Sequence, residues 1–372
     1  MSQTVKFTTY FDFAKKSKRK AGEGLDVGTY PFYVSSQSKI KKCNTPDYEG
    51  DALVFGTGGN ASVHFASGKF STSTDCIVAF TKADKNLAKA IHYYLKSNMH
   101  ILEQGFKGAG LKHISKSYIS ELNLPDLSNL NTPHILNLLD KADELVKLRQ
   151  QAIDKLETLS QSIFYDMFGD PLKAEVNTDK NKLSKFAELI NGDRSNKYPK
   201  NDELVPNGIL FLNTKNINKN TLDLETASFI TKEKFDSLSR GKLQPNDLVI
   251  TLRGTLGQCA LFNCKYETGF INAQLMIIRC KPTLKPSYIK GIFTSGHMQK
   301  KLKTDSSGAA VPQLTSKQIG EIEINIPDFK KQELYEGKIN AVERLISNYK
   351  KALDEELKMF KSLQQRAFRG EL

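Results

Sequence analysis

The chain has 372 residues, 39% of them hydrophobic and 26% charged, enough length for two or three domains that each bury a core. Lys and Arg number 54 against 41 Asp and Glu, a net charge of +13, and such an excess favours a polyanionic partner, most simply nucleic acid. No apolar run of about 18 residues allows a transmembrane helix, the N-terminus lacks a secretory pattern, and five cysteines without a C-x-x-C pair argue for a reducing cytoplasm rather than a disulfide or zinc scaffold.

In chain order, the basic run Lys15-Lys16-Ser17-Lys18-Arg19-Lys20 and the pair Lys41-Lys42 are candidate phosphate contacts. Short apolar runs at 52–55 and 76–80 predict buried strands, separated by clusters of Gly, Asn, Ser and Thr. A long helical pattern spans about 134–168, and Gly169 with Pro171 reads as its stop. Strand-like runs return at 247–252 and 275–279, followed by a second long helical pattern over about 332–368.

The two halves align as an internal repeat. Phe70-Ser71-Thr72-Ser73-Thr74 stands against Phe270-Ile271-Asn272-Ala273-Gln274, and Gly56-Thr57 against Gly254-Thr255. Asp51-Ala52-Leu53-Val54 stands against Asp247-Leu248-Val249-Ile250, and the segment from Gly108 to Leu122 against that from Gly308 to Ile322. Both halves then close on Pro-Asp, at Pro125-Asp126 and Pro327-Asp328.

Each helical pattern carries a heptad seam. The first runs through Ile135, Leu138, Ala142, Leu145, Ala152, Leu156, Leu159 and Ile163, with Arg149 as its polar member. The second runs through Ile339, Val342, Ile346, Tyr349, Leu353, Phe360, Leu363 and Ala367, with Glu356 as its polar member. A sustained 3.5-residue repeat turns one narrow face toward a partner helix. Leu139, Val146, Ile153 and Met167 widen the first stripe. The order domain, rod, domain, rod favours antiparallel pairing, because residues 172–182 could span only about 35 Å of the roughly 50 Å return that parallel rods require. Antiparallel register puts Arg149 opposite Leu353, one seam step from Glu356.

Polar side chains that can read base edges recur at matching places. In the first half these are Ser35, Ser36, Gln37, Lys39, Thr57, Asn60, Thr72, Thr74 and Lys107. In the second they are Asn213, Thr214, Lys215, Asn216, Arg253, Thr255, Asn272, Gln274, Ser306 and Ser307. The same residue types also build ordinary turns. No phosphate loop ending in Gly-Lys-Ser/Thr, Gly-x-Ser-x-Gly elbow or H-E-x-x-H pair is present. One nuclease-like match, Pro327-Asp328 followed by Glu336-Gly337-Lys338, is read as coincidence, since its carboxylates must converge on one cation.

The stretch from Leu138-Leu139-Asp140-Lys141-Ala142 through Gln161-Ser162-Ile163-Phe164-Tyr165-Asp166-Met167-Phe168-Gly169-Asp170-Pro171 resembles the central conserved region of type I restriction–modification specificity subunits. Leu363-Gln364-Gln365-Arg366-Ala367-Phe368-Arg369-Gly370-Glu371-Leu372 is similar to the distal conserved end of that family. Asp247-Leu248-Val249-Ile250 with Arg253-Gly254-Thr255 and Gly257 resembles its target-domain pattern, as does Gly108 to Ser115. In the first half, Phe55 stands where that pattern has Arg.

The resemblance implies an α+β protein of two repeated target-recognition domains (1–126 and 171–327) joined by two long antiparallel coiled-coil helices (127–170 and 328–372) with pseudo-twofold symmetry. It further implies that each domain reads half of a bipartite, asymmetric DNA site, and that the chain is non-catalytic and binds no cofactor or metal. Two modification subunits using S-adenosylmethionine, and restriction subunits using ATP and Mg²⁺, are the implied partners in host defence. The alternative reading is a coiled-coil scaffold whose repeated domains bind protein.

Overall fold

The apolar runs near 52 and 76 lie side by side as neighbouring strands in a computed structural model that describes residues 4–108, 110–127, 132–172, 181–306 and 313–372. Every residue of Ala52–Gly56 is buried, the pattern of a strand covered on both faces. The chain divides into two units, Met1–Gln151 with Lys350–Leu372, and Ala152–Tyr349.

In the first unit an antiparallel sheet has the order Phe11–Phe13, Cys76–Thr81, Ala52–Gly56, Ser62–Ala66. A second sheet has the order Ile40–Cys43, Tyr30–Tyr33, Lys69–Thr72, Tyr48–Glu49, with its two middle strands parallel. In the second unit the sheets are Asn191-side strand Ala187–Asn191, then Leu275–Cys280, Leu248–Thr251 and Cys259–Leu261, and Ser228–Ile230, Ile209–Leu212, Gly269–Ile271 and Lys242–Leu243. Again the two middle strands of the second sheet are parallel. The repeat is therefore one of topology, down to a small antiparallel pair that closes each unit, Thr4–Lys6 with Asn123–Pro125 and Asn181–Lys182 with Glu323–Ile324.

The structure shifts the internal alignment by one residue in the strands and by three at the Gly56-Thr57 and Gly254-Thr255 loops. Cys76 N donates to Ser73 O in one unit and Leu275 N to Asn272 O in the other, so Ser73 matches Asn272 rather than Ala273. Leu53, Phe55 and Ala79 share one core, as Leu248, Ile250 and Ile278 share the other. Phe55 thus takes the place of Ile250, and Arg253 is matched by Gly58. Fully buried strands lack the polar–apolar alternation that would fix such a register from sequence.

The two long helices are Thr132–Phe168 and Phe329–Phe368. In the first unit Ile135 and Leu139, at the start of the central helix, share a core with Phe360 and Ala367 near the end of the distal one. In the second unit Phe164 and Phe168 pack on Tyr335 at ring-centroid distances of 5.7 and 5.3 Å. Within each unit the helices therefore run antiparallel. All nine distal seam positions are buried or half-buried, whereas Leu145 and Leu159 of the central seam are 58% and 45% exposed. Leu139, Val146 and Ile153 turn inward in place of the alternate members, a one-residue rotation that a stripe wider than two positions per heptad leaves open.

Each helix pair is fixed to its sheets by helices that follow them. Tyr93, on helix Lys85–Ser97, donates to Asp140 at 2.7 Å, and Lys89 pairs with the same carboxylate at 2.6 Å. On helix Pro286–Thr294, Gly291 lets Phe164 and Tyr335 approach so closely that an added Cβ would lie 2.4 Å from Phe164. Gln332, wholly buried, donates to Pro327 O and accepts from Lys285 N.

Candidate nucleic-acid interface

In the first unit four loops meet at one end of the sheets. Ser35 Oγ donates to Gly58 O at 2.5 Å and accepts from Gly58 N, while Gln37 Nε2 donates to Ala61 O. Thr57 Oγ1 donates to Asp75 O at 3.0 Å. His113 Nδ1 lies 3.1 Å from Thr57 O; a carbonyl only accepts, so Nδ1 carries the proton, and Nε2 of the neutral ring is left as an acceptor. Lys107 and His113 exchange backbone hydrogen bonds, and Thr74 N donates to Arg19 O. Ser36 accepts from Lys39 N, and its carbonyl lies 2.7 Å from His64 Nε2.

Gln37, Lys39, Asn60 and Lys107 are exposed, and Ser35, Ser36, Thr57 and Thr74 are half-buried. A cleft of about 530 Å³ beside them is lined by Lys15, Lys16, Thr57, His113 and Lys116, a cationic groove suited to phosphate. Arg19 of the basic run is instead tied to Asp47 at 2.9 Å and to Thr45. Burial pushes the Cys76 thiol in the cleft wall up to about 11, which leaves it a poor nucleophile.

The second unit gathers its loops by different bonds. Arg253 Nε donates to Gln313 Oε1 at 2.9 Å. Leu252 N donates to Gln274 O and Asn272 N to Leu212 O, and Arg194 donates to Ala273 O at 3.2 Å. The carboxyl of Asp193 is nearly wholly buried; burial pushes it up, but hydrogen bonds from Ser195 and Ser239 outweigh this and hold it well below the usual carboxylate range. Asp193 thereby stiffens the segment that carries Arg194. Arg253, Thr255, Gln274 and Lys215 are exposed, and Asn213 and Thr214 half-buried.

Four of the expected base readers point inward. Thr72 is 0% and Asn216 0% exposed, Asn272 8% and Ser306 6%. Asn216 donates to Asp223 O, Asn272 accepts from Gln274 N, and Ser306 donates to Lys303 O. Asn216, Asn272 and Ser306 build the loops, because a short polar side chain in a turn satisfies nearby backbone first, whereas Thr72 is a buried residue at the end of the strand Lys69–Thr72. Ser307 lies outside the described residues. His113, Lys116, Arg194 and Gln313 were not among the expected readers. For His113 and Gln313 a signal existed: the repeat sets them opposite each other, just ahead of the helix N-caps Ser115 and Thr315.

The nuclease-like match does not assemble. Glu336 is paired with Lys285 at 2.9 Å and accepts from Ser287. Among the described residues no group of three or more His, Cys, Asp or Glu is placed to hold a metal ion, and no helix is long and apolar enough to cross a membrane.

The equivalent loop bridges, Gly58 with His113 and Arg253 with Gln313, put different side chains on one scaffold. Among solved structures, the chain is similar to the type I restriction–modification system S subunit from M. genitalium (TM-score 0.62, 17% identity, 99% of this chain and 96% of that one). It is also similar to a chain solved to describe complex assembly and conformational transition of the type I R-M system (TM-score 0.51, 14% identity, 100% of this chain and 98% of that one). No curated protein matches it. Residues 3–158 and 176–359 match the model of the type I restriction modification DNA specificity domain, and the chain belongs to that family.

Proposed function

We propose that this chain is the sequence-reading subunit of a type I restriction–modification complex, each unit recognising one half of a bipartite, asymmetric duplex site. The observation that carries this reading is the repeated loop bridge, Gly58–His113 and Arg253–Gln313, where one scaffold presents a different polar set in each unit. Lys15, Lys16 and Lys116 in one unit and Arg194 and Lys215 in the other supply sequence-independent phosphate contacts. The long helices set the separation of the half-sites. Their solvent faces carry Leu145, Leu148, Leu334, Leu345, Leu357 and Met359, each at least 46% exposed, which supports docking of two modification subunits there. Catalysis belongs to partners: methylation of adenine with S-adenosylmethionine by modification subunits, and ATP- and Mg²⁺-dependent translocation and cleavage by restriction subunits.

Mapping methylated adenines genome-wide in cells that carry this chain and its partner subunits tests the reading. A bipartite motif is expected. Duplex binding that falls steeply with salt is expected as well, since phosphate contacts release counterions. A scaffold that binds only protein would give neither.

A further inference from the structure

Resting on the DNA-reading role proposed above, we infer that Gln313 is a specificity-positioning residue: it holds the Arg253 guanidinium end-on so that its two terminal nitrogens read a guanine through O6 and N7. Arg253 is exposed at the start of a loop whose every turn is fixed. Thr251, 1% exposed, holds the loop from beneath: its hydroxyl donates to Thr255 O and accepts from Gln258 N, and its carbonyl accepts from Gly257 N at 3.0 Å. Gly254 and Gly257 adopt φ of +77° and +73°, a region that side chains other than glycine rarely enter. At Gly257 an added Cβ would also lie 2.7 Å from Leu302 Cδ1. The pedestal is rigid, and only the long Arg side chain remains to be oriented.

Gln313 supplies that orientation. Its Oε1 accepts from Arg253 Nε at 2.9 Å, and the two residues also form a backbone bridge. Arginine can present a fork through Nε and one terminal nitrogen, or through both terminal nitrogens. With Nε engaged, only the second fork remains, and its two parallel donors match the two acceptors of guanine in the major groove. No other side-chain partner of Arg253 is recorded among the described residues. Gln313 cannot itself substitute, since its own carbonyl faces the guanidinium. Where the other unit has Gly58 and His113, no such fork exists, so the guanine requirement belongs to one half-site.

The test uses the full chain assembled with its modification subunits, and reads both the methylation motif and binding to duplex oligonucleotides. One half-site should contain a guanine whose replacement by 7-deazaguanine, which removes N7, weakens wild-type binding roughly tenfold. Arg253→Ala should abolish the distinction between guanine and 7-deazaguanine at that position. Gln313→Ala should lower discrimination there by roughly five- to tenfold while salt-dependent binding to unrelated duplex persists. Gln313→Glu, which keeps an acceptor for Nε, should retain discrimination. The inference is overturned if Gln313→Ala leaves guanine discrimination intact, if it weakens all sequences equally, or if Gln313→Glu behaves as Gln313→Ala. A clear bipartite motif without a guanine that depends on Arg253 would sink the inference but not the DNA-reading role. Absence of any sequence-dependent binding by the wild-type complex would sink both.

Discussion

Arg149 and Glu356 meet inside the helix seam: Arg149 Nη2 donates to Glu356 Oε1 at 2.7 Å, and Nε lies 3.2 and 3.4 Å from the two carboxylate oxygens. Both side chains are less than a third exposed, so the pair escapes most of the solvent screening that weakens surface ion pairs. A polar pair in an apolar seam costs stability relative to leucine but penalises every other register, since a slipped helix would bury one charge alone.

A double-mutant cycle on Arg149→Leu and Glu356→Leu should therefore give a coupling energy of about 1 to 2 kcal/mol in urea unfolding. The double replacement should be nearly as stable as the native chain, or more so. Additive single effects would show that the two side chains act independently.

Asp247 is the acidic residue of the target-domain pattern, and its role in the structure is architectural. Its side chain is 2% exposed; it accepts from Gln244 N at 2.7 Å and from Arg279 at 2.9 and 2.8 Å. Asp247→Ala leaves Arg279 without its counter-charge, and a loss of about 3 kcal/mol is expected. Asp247→Asn keeps an acceptor for Gln244 N and should lose less. Denaturant unfolding of both variants measures this; equal, small losses would mean that Arg279 finds compensation in Lys242 O, to which it also donates.

How far the sequence was legible follows from what each signal depends on. The distal seam from Ile339 to Ala367 could be read in full, because its inward positions are spaced by helix geometry alone. The repeat was legible as topology, yet its register was three residues off at Phe55 and one off at Asn272, since buried strands such as Ala52–Gly56 are apolar throughout. Asn216 and Asn272 carry the groups that base reading needs, and the same groups close turns, so composition could not tell facing outward from folding inward. Arg253 was legible through its glycine neighbours. The repeat marked the position of Gln313 opposite His113, but not its role, which exists only through a partner 60 residues away.

His92 gives the first unit an acid sensitivity. Burial pushes its imidazole down to about 3, with Lys96 and His64 adding to the shift. His64 is lowered too, again mainly by burial. A folded-state pKa below the unfolded value near 6.5 means that the unfolded chain binds the proton first. The stability contributed by neutral His92 is thus complete above about pH 6.5 and is lost as pH falls toward 3. At ~1.4 kcal/mol per unit, the loss between pH 6.5 and 5 approaches 2 kcal/mol. Urea midpoints at pH 7.5 and 5 should separate for the native chain and move closer together in His92→Gln. An unchanged separation would show that His92 does not carry the effect.

His113 and Arg253 occupy equivalent bridges in the two units, so replacing them should relax different halves of one target. His113→Ala should alter only the half read by the first unit, and Arg253→Ala only the other, each at a cost of about 1 to 3 kcal/mol for the preferred base. Exchanging residues 1–126 for the corresponding part of a relative should likewise change one half of the methylation motif. A substitution that weakened binding to every sequence alike would mark its residue as a phosphate contact. A domain exchange that changed both halves would mean that the units do not read independently.

If the helices are the ruler between half-sites, their length and register together set the unspecific spacer. Seven residues return a helix to the same seam position and add about 10.5 Å. One heptad inserted after Gln151 and another after Tyr349, where the chain passes between units, should preserve the seam in both helices. The methylation motif should then keep both half-sites, with a spacer longer by about 3 base pairs, at about 3.4 Å each. A heptad in one helix alone cannot keep both ends in register: if Arg149 stays on Glu356, the contacts of Phe164 and Phe168 with Tyr335 beyond the insertion fall about two turns out of register, which should impair assembly of the complex. Long-read sequencing for methylated adenine reads the spacer directly. An unchanged spacer in the matched variant would remove the helices from the measurement of distance, and normal assembly in the unmatched variant would show that assembly does not require matched register along the two helices.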